Sequence, residues 1–116
     1  MLHKKRRISR KEFFYVLGQG KRYNSQHFLA YVFFDKTKNK PTDSRFSFSV
    51  SKKVAKNAVD RNKLRRRGYS ILSNILDKIE PDFMVLFSFK KGSDKVSFEL
   101  LSKEVFGLLS QSHVLK

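Results

Sequence analysis

The stretch from Lys52 to Arg67 constrains this chain more than any other. Eight of its sixteen residues are Lys or Arg, and only Asp60 opposes them. A solvated charged face normally mixes signs, because like charges on neighbouring turns repel. A one-sign cluster opposes folding and implies an anionic partner that offsets it. The same stretch opens a helix. Asn57 suits an N-cap, and Asp60 falls in the first turn, where the helix dipole favours an acid. From Ala58 onward, Leu64, Gly68, Ile71, Leu72, Ile75 and Ile79 recur at helical spacing. Pro81 disfavours helical geometry in the residue before it, so the helix is expected to stop near Glu80. Asn62, Arg66 and Tyr69, at i, i+4 and i+7, are expected to share the face opposite the apolar stripe. An amide, a guanidinium and an aromatic ring there suit base edge, phosphate and base stacking.

Composition agrees with a nucleic-acid partner. The 116 residues carry 26 Lys and Arg against 10 Asp and Glu, a net charge of +16. Such an excess points to nucleic acid or an anionic membrane. The membrane reading is weak, because the outward face of the basic helix lacks Trp, Phe and Leu. No apolar run approaches the roughly 20 residues of a membrane span. Met1 to Lys11 is charged like the start of a signal peptide, but no apolar stretch with a small-residue cleavage site follows. The absence of Cys excludes disulfides, thiol catalysis and thiolate metal sites together, and makes a cytoplasmic chain the default. The length fits a single domain over residues 1–116, and 40% hydrophobic residues with 12 Phe can fill a core.

In chain order, residues 1–8 form a basic arm, read as a flexible tail that can settle on phosphates. Ser9 and Glu12 form a capping-box pair for a short helix with Phe13, Val16 and Leu17 on its apolar side, ended by Gly18 and Gly20. A short strand is expected near Gly20 to Tyr23. Phe28 to Phe34 is apolar on both faces, hence a strand that is central or covered twice. Asp35 to Ser44 is a loop. Arg45 to Ser51 alternates: Phe46, Phe48 and Val50 face one way, Ser47, Ser49 and Ser51 the other. A serine face is small and polar, leaving room for something to lie along the sheet. Asp82 to Phe89 is a further strand, Lys90 to Lys95 a basic turn, and Ser97 caps a last helix carrying Leu101, Val105, Leu108 and Leu109. The order α-β-β-β-α-β-α describes an α+β chain, a two-layer sandwich on a small mixed four-stranded sheet.

Catalytic chemistry is not visible. The carboxylates are scattered, and Asp77 with Glu80, the one helical pair, sits at an expected helix end beside Pro81, a poor two-metal site. His3, His27 and His113 have no ligand spacing, and no Gly-x-Ser-x-Gly elbow frames a serine.

Ser49-Val50-Ser51-Lys52-Lys53, then Asn57-Ala58-Val59, then Arg61-Asn62-Lys63-Leu64-Arg65-Arg66 together resemble the signature of the protein subunit of bacterial ribonuclease P. The resemblance runs over nearly the whole chain. It implies a left-handed β-α-β crossover, against the general right-handed rule. It also implies a function: an RNA subunit, using magnesium ions, removes the 5′ leader from precursor tRNA, and the protein binds that RNA and the single-stranded leader. Carried over by position, Arg61, Asn62, Lys63, Arg65 and Arg66 dock the RNA, and Arg67 and Tyr69 extend that set. Phe13, Leu17, Tyr31, Ser47, Ser49, Lys52 and Lys53 would line the leader cleft. No cofactor, metal or small-molecule substrate is expected on this chain itself. Lys63 replaces an arginine of the motif, which keeps charge but loses the bidentate fork. Leu17 stands where an aromatic is common. Gly68 interrupts a helical run at a cost of about 1 kcal/mol relative to Ala, so the helix either kinks there or packs too closely for a side chain. A structural RNA-binding protein of the ribosome is the alternative class.

Overall fold

The computed structural model describes residues 4–36 and 40–116. His3 of the arm and the centre of the 35–44 loop lie outside the described residues. A 3-10 turn at Lys4–Arg6 precedes helix α1 (Arg10–Gln19), strands β1 (Lys21–Asn24), β2 (Phe28–Phe34) and β3 (Arg45–Ser49), helix α2 (Ala58–Ser73), strand β4 (Phe83–Phe89) and helix α3 (Phe98–Gln111). The sheet runs β1-β2-β4-β3. β2 pairs antiparallel with β1 and β4, whereas β3 pairs parallel with β4. This is the expected order on a mixed four-stranded sheet.

Side-chain alternation decides the layers. Phe28, Ala30 and Val32 of β2, Val85, Phe87 and Phe89 of β4, and Phe46 and Phe48 of β3 all point to one face. There Leu64, Ile71 and Leu72 of α2 and Leu101, Val105, Leu108 and Leu109 of α3 close the main core. On the other face Val16 of α1 meets Met84 and Leu86, with Phe13, Tyr31, Phe33 and Ile8 packed around them. β2 is thus covered twice, as its unbroken apolar run requires.

Local rules fix most element starts. Ser9 Oγ accepts from Glu12 N at 3.3 Å, and Glu12 Oε1 accepts from Ser9 N at 3.0 Å, completing the capping box of α1. Ser97 Oγ accepts from Leu100 N at 3.1 Å to cap α3. α2 begins at Ala58 with Asn57 as cap residue, although the Asn57 side chain makes no cap hydrogen bond. β3 stops at Ser49, and Ser51 instead opens a turn, its carbonyl accepting from Val54 N and Ala55 N.

The end of α2 differs from expectation. The helix stops at Ser73, not near Glu80. A 3-10 turn at Leu76–Lys78 continues the chain past Asn74, and helical geometry is left only at Ile79, next to the residue that Pro81 restricts. Glu80 N donates to Val114 O at 2.7 Å and Lys116 N to Lys78 O at 2.8 Å, around a bridge between Ile79 and Leu115. Burying Ile79 and Val114 together therefore requires extended chain at 79–80. Gly68 does not kink α2. A Cβ on Gly68 would lie 2.6–2.7 Å from ring atoms of Phe48. The helix sits so close to β3 that only hydrogen fits between them. Phe48 in turn stacks on Phe87 at 4.9 Å between centroids and meets the edge of Tyr69 at 5.2 Å.

A buried polar cluster ties α3 to the turn between β1 and β2. Glu104 accepts from Ser25 Oγ at 2.5 Å and His27 N at 2.7 Å, and lies 2.6 Å from His27 Nδ1. Burial pushes the Glu104 carboxyl up, but the hydrogen bonds from Ser25 and His27 together outweigh burial and hold it below its ordinary value of 4.5.

Two predictions follow from this packing. Gly68→Ala should lower the melting temperature: overpacking costs roughly 1–3 kcal/mol, more than the ~1 kcal/mol gained in helix propensity. An unchanged or higher melting temperature would mean that Phe48 yields. Because the folded-state pKa of Glu104 is depressed, its stabilisation is present above about pH 4.5 and lost as pH falls through the lowered value. Glu104→Ala should cost at least about 1–3 kcal/mol at neutral pH, and the deficit should shrink in acid. A deficit constant with pH would sink the electrostatic part of this account.

Candidate nucleic-acid interface

Sheet register builds the first part of the site. On the face carrying α1, cross-strand neighbours form rows: Phe33–Met84–Arg45, then Arg22–Tyr31–Leu86–Ser47, then Asn24–Leu29–Ser88–Ser49. α1 is held over the first row. Glu12 forms an ion pair with Arg45, and Tyr15 meets Phe33 edge-on at 5.0 Å. Glu12 and Tyr15 lie on one flank of α1; Phe13 and Leu17, at i and i+4, lie on the other. The Phe13 and Leu17 flank therefore overlooks the second and third rows. Ser47 and Ser49, both half-buried, lie on this same face, where Phe13 and Tyr31 pack around Val16, Met84 and Leu86. Five of the expected cleft residues are brought to one face. Phe13 and Tyr31 are also packing residues, while Leu17 keeps 41% of its surface exposed. Burial pushes the Glu12 carboxyl up; hydrogen bonds from Ser9 and the Arg45 charge outweigh burial and hold it below the ordinary carboxylate value, so the strut is ionised at neutral pH.

Lys52 and Lys53 leave β3 past the Ser49 row and are exposed. Here topology adds what sequence did not show. Because β3 and β4 are parallel, their C-terminal ends emerge side by side. Lys53, Lys56 and Asn57 therefore share a cleft with Lys91 and Lys95 of the β4–α3 turn, with Asp60 and Asp94 as its two acids. The basic turn was legible as basic, but nothing local indicated its neighbour. At the opposite end of the sheet, where β2 ends and β3 and β4 begin, Asp35, Asp43 and Asp82 line one pocket, and Asp43 with Asp77 borders the next. Arg45, Arg6 and Lys116 stand among these acids, so charge is mixed at this end and mostly basic at the other.

The α2 residues divide by exposure. Asn62, Lys63 and Arg66 are exposed, and Arg65 and Arg67 are half-buried. Arg65 hydrogen-bonds the Asn62 side chain through Nη2. Arg67 lies beside Asp60, Lys63, Leu64 and Asp94. Arg61 is half-buried, and its Nη1 donates to Ala55 O at 2.9 Å and Lys56 O at 2.7 Å. It braces the turn that carries Lys52 and Lys53.

Tyr69 corrects the expected outward face. It is only 7% exposed and packs in the main core. The 100° step does place it next to Asn62 and Arg66. However, Gly68 lets α2 sink toward β3, and the segment from Lys4 to Ser9 covers that side of the helix. The ring cannot serve as a stacking platform. That segment is also not a free tail from Lys4 onward: Arg7 forms a parallel bridge with Phe46, and Ile8 N donates to Phe46 O at 3.0 Å.

Among the described residues, no group of three or more His, Asp or Glu side chains is placed to hold a metal, and no helix is long and apolar enough to cross a membrane.

Comparison with known proteins gives one family. The ribonuclease P family model matches residues 1–113. The ribonuclease P protein component of Microcystis aeruginosa is 31% identical over 106 residues, covering 91% of this chain and 88% of that protein. That of Clostridioides difficile is 31% identical over 102 residues, covering 85% and 83%. In fold, the chain is similar to the RNase P protein of Staphylococcus aureus, with a TM-score of 0.82 at 19% identity over 98% of this chain and 100% of that one. The RNase P protein of Thermotoga maritima gives 0.78 at 22% identity over 90% and 96%. The family match runs over nearly the whole sequence, and a relative 31% identical covers 91% of it: the chain belongs to the ribonuclease P protein component family.

Proposed function

We propose that this chain is the RNA-holding subunit of a ribonuclease P. In this reading it docks on the catalytic RNA through the exposed side of α2 and holds the 5′ leader of precursor tRNA in the groove between α1 and the sheet. One observation carries the proposal: the serine face of β3 runs toward the same end of the sheet as the lysines that follow β3 and β4. A single strand entering there meets cations first and then a floor of small polar side chains flanked by Phe13 and Tyr31. Sequence-independent binding of a strand takes this form: charge tracks the backbone and an aromatic edge meets the bases.

The residues divide the work. Lys52, Lys53, Lys56, Lys91 and Lys95 neutralise phosphates. Ser47 and Ser49 leave room and offer hydroxyls. Asn62, Lys63 and Arg66 reach the catalytic RNA, while Arg61 and the Glu12–Arg45 strut hold the surfaces in place. The bond-breaking chemistry and its magnesium ions are assigned to the RNA.

Reconstitution with a ribonuclease P RNA tests the whole reading: the protein should lower the magnesium concentration needed to cleave precursor tRNA. Within that system Phe13→Ala should weaken precursor tRNA binding by about 1–3 kcal/mol, the worth of one base–aromatic contact, and leave mature tRNA binding nearly unchanged. Single-turnover cleavage at saturation should stay near normal, once melting shows that the α1 packing survives. Equal losses for both tRNAs would return Phe13 to a packing role alone. On α2, Arg66→Ala should weaken binding to the catalytic RNA more than Arg67→Ala, because Arg66 is exposed and Arg67 is half-buried beside Asp60 and Asp94. Equal losses in direct binding would mean that only total charge matters.

A further inference from the structure

The segment Lys4–Ser9 and the middle of α2 enclose a cleft of about 380 Å³, lined by Lys4, Arg7, Ile8, Ser9 and Tyr69. Its size falls within the range of roughly 300–1,000 Å³ typical of ligand pockets. Every ionisable group on its wall is a potential donor, and none is a carboxylate. The nearest acid in sequence, Glu12, is engaged by Ser9 and Arg45.

Two polar groups here lack partners. Arg7 Nε is buried and makes no hydrogen bond. Buried guanidinium N–H groups are almost always paired, and leaving one unpaired is costly. Arg7 cannot simply swing away at the backbone, since its bridge to Phe46 and the Ile8 N to Phe46 O bond fix the chain against β3. The second group is the Tyr69 hydroxyl. The ring is buried edge-on to Phe48, and the hydroxyl has no hydrogen-bond partner among the described residues. The ring belongs to the core while the residue borders the cleft, which places a hydroxyl without a protein partner on the residue that lines it.

A guanidinium, an ammonium and a phenol converging on one volume fit a phosphate oxyanion. Tyr69 is only 7% exposed, so the cleft reads a backbone and not a base. Tyr69 also shares an arc of α2 with Asn62 and Arg66, which are exposed and lead out of the cleft. An extended polyanion can follow that line, whereas a free anion would use only its end. We propose that the Lys4–Arg7–Tyr69 cleft is a backbone-phosphate site for the RNA strand that lies along Asn62 and Arg66. The proposal rests on the RNA-docking reading of α2.

The test uses the full chain and inorganic phosphate, titrated against chloride at matched ionic strength and followed by NMR at the Arg7 Nε–H. The signal should shift saturably and its exchange with water should slow. Arg7→Gln should abolish the saturable binding. Tyr69→Phe retains the buried ring, so it should weaken binding about three- to tenfold, the worth of one hydrogen bond, with little change in anion-free melting. Lys103→Gln, an equal loss of charge on α3, should have no effect. A shift that never saturates, or equal losses in Arg7→Gln and Lys103→Gln, would overturn the site in favour of general screening. Binding to catalytic RNA then separates the two readings. Wild-type binding that neither Arg7→Gln nor Tyr69→Phe weakens overturns the cleft alone. Wild-type protein that does not bind the RNA at all overturns the docking function on which the cleft's assignment to RNA rests.

Discussion

The contact between Gly68 and the ring of Phe48 sets the depth at which α2 lies on the sheet. Phe48 touches Phe28, Phe87, Phe89 and Tyr69, so it is the hub of the aromatic core. With hydrogen in place of a side chain at Gly68, α2 approaches β3 closely enough for Tyr69 to reach that hub. The helix must present its one-sign charge on its other side. Bracing by Arg61 is a separate and local contact, to carbonyls five and six residues back, and it fixes the turn from which the lysines after β3 project.

Parallel pairing of β3 and β4 supplies the second constraint. An antiparallel pair would place the two strand exits at opposite ends of the sheet and divide the basic loops between them. The parallel pair collects them at one end and leaves Asp35, Asp43, Asp77 and Asp82 at the other. At that other end the aspartates stand among Arg6, Arg45 and Lys116, so the charge there is mixed, whereas the exits of β3 and β4 concentrate lysines. Attraction of a polyanion to a protein of +16 is long-ranged and salt-dependent, and it is strongest where one sign is concentrated.

Local structure was largely legible in the sequence. The Ser9–Glu12 capping box, the Phe–Ser alternation of β3 and the doubly apolar β2 each follow from rules spanning a few residues, and all three hold. Tyr69 was misplaced because a helical wheel treats the helix as a uniform cylinder with one buried stripe. It cannot show that Gly68 tilts the balance inward or that Lys4–Ser9 returns to cover a second side. The end of α2 was placed late because apolar spacing does not separate an α-helix from the 3-10 turn at Leu76–Lys78 that continues it. Lys91 and Lys95 joined the candidate site only through strand order. Tyr69 and the lysine cluster are tertiary effects: each depends on a segment distant in sequence arriving at a position that periodicity cannot predict.

The proposed function assigns two RNA surfaces to one small domain, and the layers keep them apart. The serine face of β3 and α1 lie on one side of the sheet, and α2 lies on the other. Two stretches of chain join these sides: the turn braced by Arg61, where β3 leaves the sheet, and the N-terminal segment, which borders a cleft with Tyr69, pairs with Phe46 and then becomes α1. The N-terminal segment is held at both ends, by Phe46 on one side and by the Glu12–Arg45 ion pair on the other, so the position of α1 on the sheet and that of Lys4–Ser9 beside α2 are set by one continuous run of contacts.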